Sequence, residues 1–254
     1  MPMRKFLYRA FADQRDPLYH KVNDILSIII LVSVGFIIAE SVTSIGERYK
    51  RFFEISEWVV VGIFTAEYLI YIYTAKSKKG YLFSLFGIVD LLAILPTFLT
   101  LFVPVFAALS GLRVLRVLRI IRLLRLFRIL KLIRYSHDLR GGRKNILDGV
   151  RFANLEIYFF ALFSLVVIAG TLIFLAEGRV AGTDFTNIPS GMWWAIVTLT
   201  TVGYGDMVPQ TVLGRIVAGF TMVAGLSMFA LLISVMGKVL QNVLFGGVVD
   251  SKKE

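Results

Sequence analysis

Long apolar runs alternate with short charged ones along the whole chain. Residues 25–39 carry no charge and the run extends to about Val42; residues 58–75 hold one acid, Glu67, and residues 80–112 only Asp90. Residues 157–176 and 216–237 are again free of charge. A bilayer span needs roughly 20 mainly apolar residues, so each of these runs predicts a membrane helix. Residues 112–133 make a further one in which apolar pairs are separated by single cations. Residues 185–205 are uncharged but too irregular for a clean span, which predicts a segment that enters the membrane and turns back. Pro96 and Pro104 are expected to break the third run into a helix and a short outer piece.

Composition agrees. The chain is 57% hydrophobic over 254 residues, against about 45–50% in soluble domains. With no cysteine a thiolate metal site is excluded, having only His20 and His137 argues against a histidine-built one, and no nucleophile–base cluster suggests an enzyme. The net charge of +11 takes its meaning from where it sits. Fifteen Lys and Arg fall in the N-terminal segment, the 76–79 loop, the 140–151 loop and the C-terminal end, but only Arg48, Lys50, Arg51, Arg179 and Arg215 face the opposite side. By the positive-inside rule both termini are cytoplasmic, which requires an even number of spans; six fits. The basic N-terminus lacks an apolar core and a cleavage site, so it is not a signal peptide. It is expected to be either a helix on the inner membrane surface, where anionic lipid is the natural partner, or a solvated tail.

Arg113, Arg116, Arg119, Arg122, Arg125, Arg128, Lys131 and Arg134 recur at every third position. On an α-helix, turning about 100° per residue, such a series winds right round and leaves no apolar face. On a 3₁₀ helix, with about three residues per turn, the cations align. A nucleic-acid-binding helix would gather its cations on one phosphate-facing patch, and eight cations facing lipid would cost about 20–28 kcal/mol. The remaining reading is a helix shielded by protein and water, whose charges feel the membrane field. It demands buried acids, and Glu57, Glu67 and Asp90 are the candidates. Glu57 could equally be a solvated helix end. Phe64, three residues before Glu67, shares its helix face.

The strip "TTVGYGD", Thr200–Asp206, lies between two apolar stretches. A ring of carbonyls can replace the water shell of a dehydrated cation, provided that consecutive carbonyls point one way. An ordinary strand alternates them, and glycine at every second position, free to take positive φ, restores the direction. Gly203 and Gly205 have that spacing. The form Thr201–Gly205 is itself the reference example of a potassium filter, so its meaning is recognised rather than deduced. Thr201, Val202, Gly203 and Tyr204 would coordinate K⁺, the permeant ion, with no other cofactor. A short helix after Pro189 would aim the negative end of its dipole at the ion, and Trp193 and Trp194 are expected to stack beside Tyr204 and to donate to it or to Asp206. One loop supplies a quarter of a ring, so a homotetramer is expected.

Through "FTAEYL", "IVDLLAILP", "LRVLRVLRIIRLLRLFRILKLIR" and "WWAIVTLTTVGYGDMVP", the chain resembles the six-transmembrane voltage-gated potassium channels over almost its whole length. That resemblance implies an all-α integral membrane protein in which a four-helix voltage-sensor bundle precedes a two-helix pore module with a re-entrant pore helix and selectivity filter. The implied division is 1–22 cytoplasmic segment, 23–135 sensor, 136–154 linker helix, 155–240 pore and 241–254 tail. It implies that Phe64, Glu67 and Asp90 form an occluded site passed by the arginines. It also implies that Arg119, Arg122, Arg125 and Arg128 are the main gating charges, with Arg113 and Arg116 as outer additions. The last span lacks the Pro-Val-Pro bend of many animal members and carries Gly225, either a hinge or a close-contact position. The function implied is a voltage-gated K⁺ channel of the cell membrane; the alternative is a potassium channel whose sensor is vestigial and whose gate answers to ligand or lipid.

Overall fold

The computed structural model describes residues 2–11, 13, 16–75, 77–101, 124–132 and 146–250. The elements among them are all helical: α1 (Pro2–Phe11), α2 (Pro17–Glu40), α3 (Thr43–Arg48), α4 (Lys50–Thr74), α5 (Lys78–Leu82), α6 (Leu85–Leu101), a 3₁₀ segment (Leu124–Leu130), α7 (Ile146–Glu177), α8 (Ile188–Leu199) and α9 (Val212–Asp250). Among the described residues four helices are long and apolar enough to cross a membrane, lying in α2, α4, α7 and α9. The third apolar run is α6, 17 residues long, and it continues through Pro96. The expected break there is corrected. Proline removes one backbone hydrogen bond and crowds the carbonyl four residues earlier, a defect that packed membrane helices accommodate. Pro104 lies outside the described residues.

Other boundaries differ in the same direction. α4 starts at Lys50, eight residues before its apolar run, so Glu57 lies inside the helix rather than at its end. α7 runs from Ile146 without interruption across the expected linker–pore boundary. Asp16 starts α2 by accepting the Leu18 amide at 2.9 Å. A hydrogen bond from Arg9 and the Leu18 amide hold the Asp16 carboxyl below the ordinary carboxylate range. α1 packs on this corner, with Ala10 buried and Phe11 edge-on to Tyr71 at 5.6 Å.

Two apolar cores result. In the first, Leu26, Ile30 and Val34 of α2, Phe64 of α4, Ile94 of α6, and Leu126 and Ile129 of the 3₁₀ segment pack together. The second joins α7, α8 and α9 through Val166, Ile173, Phe185, Trp194, Leu199 and Ala218. The halves meet within one chain: Val167 and Ile188 belong to the first core, and the Ile188 amide donates to the Ser41 hydroxyl at 3.0 Å.

Glycines set the spacing inside the second half. A Cβ on Gly191 would lie 2.1 Å from the Gly170 carbonyl oxygen, so α7 and α8 touch backbone to backbone. A Cβ on Gly225 would lie 2.8 Å from the carbonyl oxygen of Leu199, the last residue of α8. The structure thus gives Gly225 a close-contact role, and α9 is a single helix across it. Gly225→Ala is expected to lower thermal stability of the purified protein by about 1–3 kcal/mol, the usual cost of overpacking. An unchanged melting transition would instead favour the hinge.

Candidate functional site

The 3₁₀ segment carries the ladder's described part. Arg125 and Arg128 are stacked by its short repeat, and Lys131 follows in the helical residues just beyond it. Arg125 lies 3.1 Å from Glu40 and 3.4 Å from Glu57. Arg128 grips Glu57 with its two terminal guanidinium nitrogens, at 2.8 and 3.2 Å, and Thr97 donates to the same carboxylate at 2.6 Å. The Lys131 ammonium sits 2.6 Å from Glu67 and 3.1 Å from Asp90. Phe64 lies between the last two cations, its ring centroid 4.3 Å from Lys131 Nζ and 5.9 Å from Arg128 Cζ.

Burial gives these contacts their meaning. Arg128 is 0% exposed, Lys131 1%, Glu67 2% and Asp90 1%. Charges so far from water persist only when paired and hydrogen-bonded. The described ladder is therefore a file of cations, each matched by carboxylates on neighbouring helices and divided by one aromatic ring. At the Glu40 end it opens into a cavity of about 540 Å³ that Glu40, Glu54, Glu57, Lys50, Arg51 and Arg125 help to line. Arg113, Arg116, Arg119, Arg122 and Arg134 lie outside the described residues.

The second constellation is the glycine-spaced strip. α8 begins with a reciprocal cap: Asn187 accepts from the Ser190 amide at 2.9 Å while Ser190 accepts from the Asn187 amide at 3.3 Å. At its other end, the amides of Thr201, Val202 and Gly203 donate back to Thr198 and Val197 carbonyls at 3.1, 3.1 and 3.3 Å. Beyond the helix φ is +60° at Thr201, +60° at Gly203 and +77° at Gly205. Positive φ at every second residue is the alternation that lets successive carbonyls share a direction. A Cβ on Gly203 or Gly205 would meet no atom within 4 Å, so conformation rather than space calls for glycine.

Trp193 braces the strip. Its indole stacks on Tyr204 with centroids 6.0 Å apart and planes 10° apart, and its N–H donates to Asp206 at 2.8 Å. Trp194 points elsewhere, edge-on to Phe185 at 6.0 Å and buried in the second core. Successive residues of a helix face different sides, so only one of the tryptophans can reach Tyr204 in the chain.

Two contributors, Glu40 and Tyr81, and the backbone sign of Thr201 escaped the sequence. Glu40, next to the uncharged residues 25–39, has no role assigned by the sequence. Tyr81, which the sequence shows only as part of the apolar run 80–112, hydrogen-bonds Asp90. Thr201 takes positive φ although β-branched, a conformation such residues rarely adopt.

Residues 20–244 match the ion transport protein family. The chain belongs to that family. It is 36% identical over 235 residues to a Rhodopseudomonas palustris protein provisionally named as a potassium channel, covering 88% of this chain and 54% of that one. It is 37% identical over 186 residues to the potassium voltage-gated channel protein Shal of Drosophila melanogaster, covering 73% of this chain and 31% of Shal. With the human A-type voltage-gated potassium channel KCND3 the identity is 34% over 213 residues, 83% of this chain and 31% of the relative. The chain thus spans about half the length of the first and under a third of the others.

Proposed function

We propose that this ion transport protein is a voltage-gated, potassium-selective channel of four identical chains, conducting K⁺ passively through a cell membrane with both termini cytoplasmic. The observation that carries the reading is the pairing, in one chain, of a buried cation file with a strip of alternating positive φ. The strip supplies one quarter of a carbonyl ring in which Thr201, Val202, Gly203 and Tyr204 replace water around K⁺. The names of the three relatives support the same ion.

Exposure favours the tetramer. Val202 is 54% and Tyr204 68% exposed in the single chain, and Phe220, Val223, Leu226 and Ile233 leave much of α9 uncovered. Around a four-fold axis such surfaces face copies of themselves and the ion path. Anionic lipid at the cytoplasmic face suits the basic 1–22 segment.

The ladder supplies the work. Each charge crossing the full field gains about 2.3 kcal/mol per 100 mV. Lys131 sits beyond Phe64, away from the Glu40 end, while Arg125 and Arg128 lie on the Glu40 side. With that end facing outward, this is the arrangement that depolarisation favours. Reversal potentials of the purified protein in planar bilayers, with K⁺ on one side and Na⁺ on the other, test the selectivity. The expected value lies close to the K⁺ equilibrium potential, and equal permeation of the two ions would refute it.

A further inference from the structure

The turn between α4 and α6 leaves apolar side chains uncovered. Phe83 is 82% and Leu85 73% exposed, and Tyr73 and Leu82 are open beside them. α4 ends at Thr74 and α6 begins at Leu85, so in the membrane reading these residues lie where two apolar helices leave the bilayer. Lys78 and Lys79 are exposed on the same turn, and neither has an acidic partner among the described residues.

Open rings at that level beside exposed lysines suit one environment, the boundary between lipid headgroups and acyl chains. Cytoplasmic leaflets carry anionic lipid, and each lysine close to such a surface is worth about fivefold in affinity. Leu85 is itself the first residue of α6, so whatever covers this patch lies at membrane level rather than in the cytosol.

The same turn reaches the sensor. α5 is five residues long, and Ser77 begins it by accepting the Gly80 amide at 3.2 Å. Two residues past Lys79, the Tyr81 hydroxyl donates to Asp90, whose other oxygen lies 3.1 Å from the Lys131 ammonium. The Tyr81 ring stacks on Tyr71 of α4 at 5.9 Å.

We propose that the turn between α4 and α6 is a binding site for anionic phospholipid of the cytoplasmic leaflet. Phe83 and Leu85 enter the acyl boundary, and Lys78 and Lys79 meet the headgroup phosphate. A bound lipid steadies α5, and through Tyr81 it favours the register in which Lys131 is seated. The effect on the register rests on the voltage-gated reading above; the lipid site rests on the membrane orientation alone.

The test begins with the purified full-length protein titrated with phosphatidylglycerol, bound lipid being counted by native mass spectrometry. Lys78→Gln together with Lys79→Gln is expected to weaken one site per chain about 25-fold, fivefold for each charge. Lys252→Gln together with Lys253→Gln, which removes as much charge from the C-terminal end, is expected to leave that site as it was. Identical titrations for wild type and the Lys78–Lys79 variant overturn the site. Phe83→Cys supplies the single thiol of a chain that has no cysteine, and a spin label there is expected at headgroup depth in vesicles. A label as open to an aqueous nickel chelate as one in solution overturns the site as well.

The register is read in planar bilayers of phosphatidylcholine with and without phosphatidylglycerol in both leaflets, where the two surface potentials oppose each other. Phosphatidylglycerol is expected to move the wild-type conductance–voltage midpoint towards negative potentials, and the Lys78–Lys79 variant is expected to lose most of that shift. Equal shifts in the two proteins overturn the link to the ladder. A wild type indifferent to voltage overturns the functional reading and that link together, while the titration and the label depth still decide the lipid site.

Discussion

Lys131→Gln is expected to destabilise the protein by about 3–5 kcal/mol, the cost of removing one partner from a buried ion pair. Its ammonium is shared by Glu67 and Asp90, both almost fully buried. The loss should appear as a lower melting transition and a smaller yield of monodisperse protein. Taking away opposing charge should restore much of that loss: Lys131→Gln combined with Asp90→Asn leaves Glu67 as the only acid of the pair without its cation. A double variant no better than the single one would mean that Lys131 contributes packing rather than charge.

Gly203→Ala is expected to abolish discrimination between K⁺ and Na⁺ while leaving the sensor half folded. Positive φ costs an alanine about 1–2 kcal/mol, and the penalty recurs in each copy around the proposed ring. Relief comes by rotating the peptide, which turns a carbonyl away from the ion. There is room for the methyl group within the chain, so the effect falls on the strip's direction and not on the core. A collapse of the K⁺–Na⁺ difference in reversal potential is the expected readout. Unaltered selectivity would break the link between backbone handedness and ion choice.

Both sites were partly legible in the sequence, for identifiable reasons. The filter strip could be found because its conformation is written in residue type: only glycine takes positive φ freely, so Gly203 and Gly205 announce it, whereas Thr201 adopts the same sign with nothing in its side chain to reveal it. The period of three pointed to aligned cations only if the helix tightened. That choice is one of tertiary setting, and the segment Leu124–Leu130 is indeed 3₁₀. Glu67 and Asp90 stood out as isolated acids in apolar runs. Glu57 was a candidate with a solvated helix end as its alternative, and Glu40 was not a candidate; only the approach of Arg125 and Arg128 shows both acids paired. Gly225 was left open between hinge and contact because distance to Leu199 is not a property of α9 alone. Tyr81 was invisible for a related reason, since its hydroxyl matters only once α5 folds back on Asp90.

The most direct test of the central claim is open probability against voltage for the reconstituted protein, stepped through both polarities. If a field-driven file of buried cations works the gate, open probability should rise steeply over a few tens of millivolts, by about tenfold for each 60 mV per unit charge moved, and more steeply as several charges in four chains act together. A conductance that stays the same at every voltage would contradict the account.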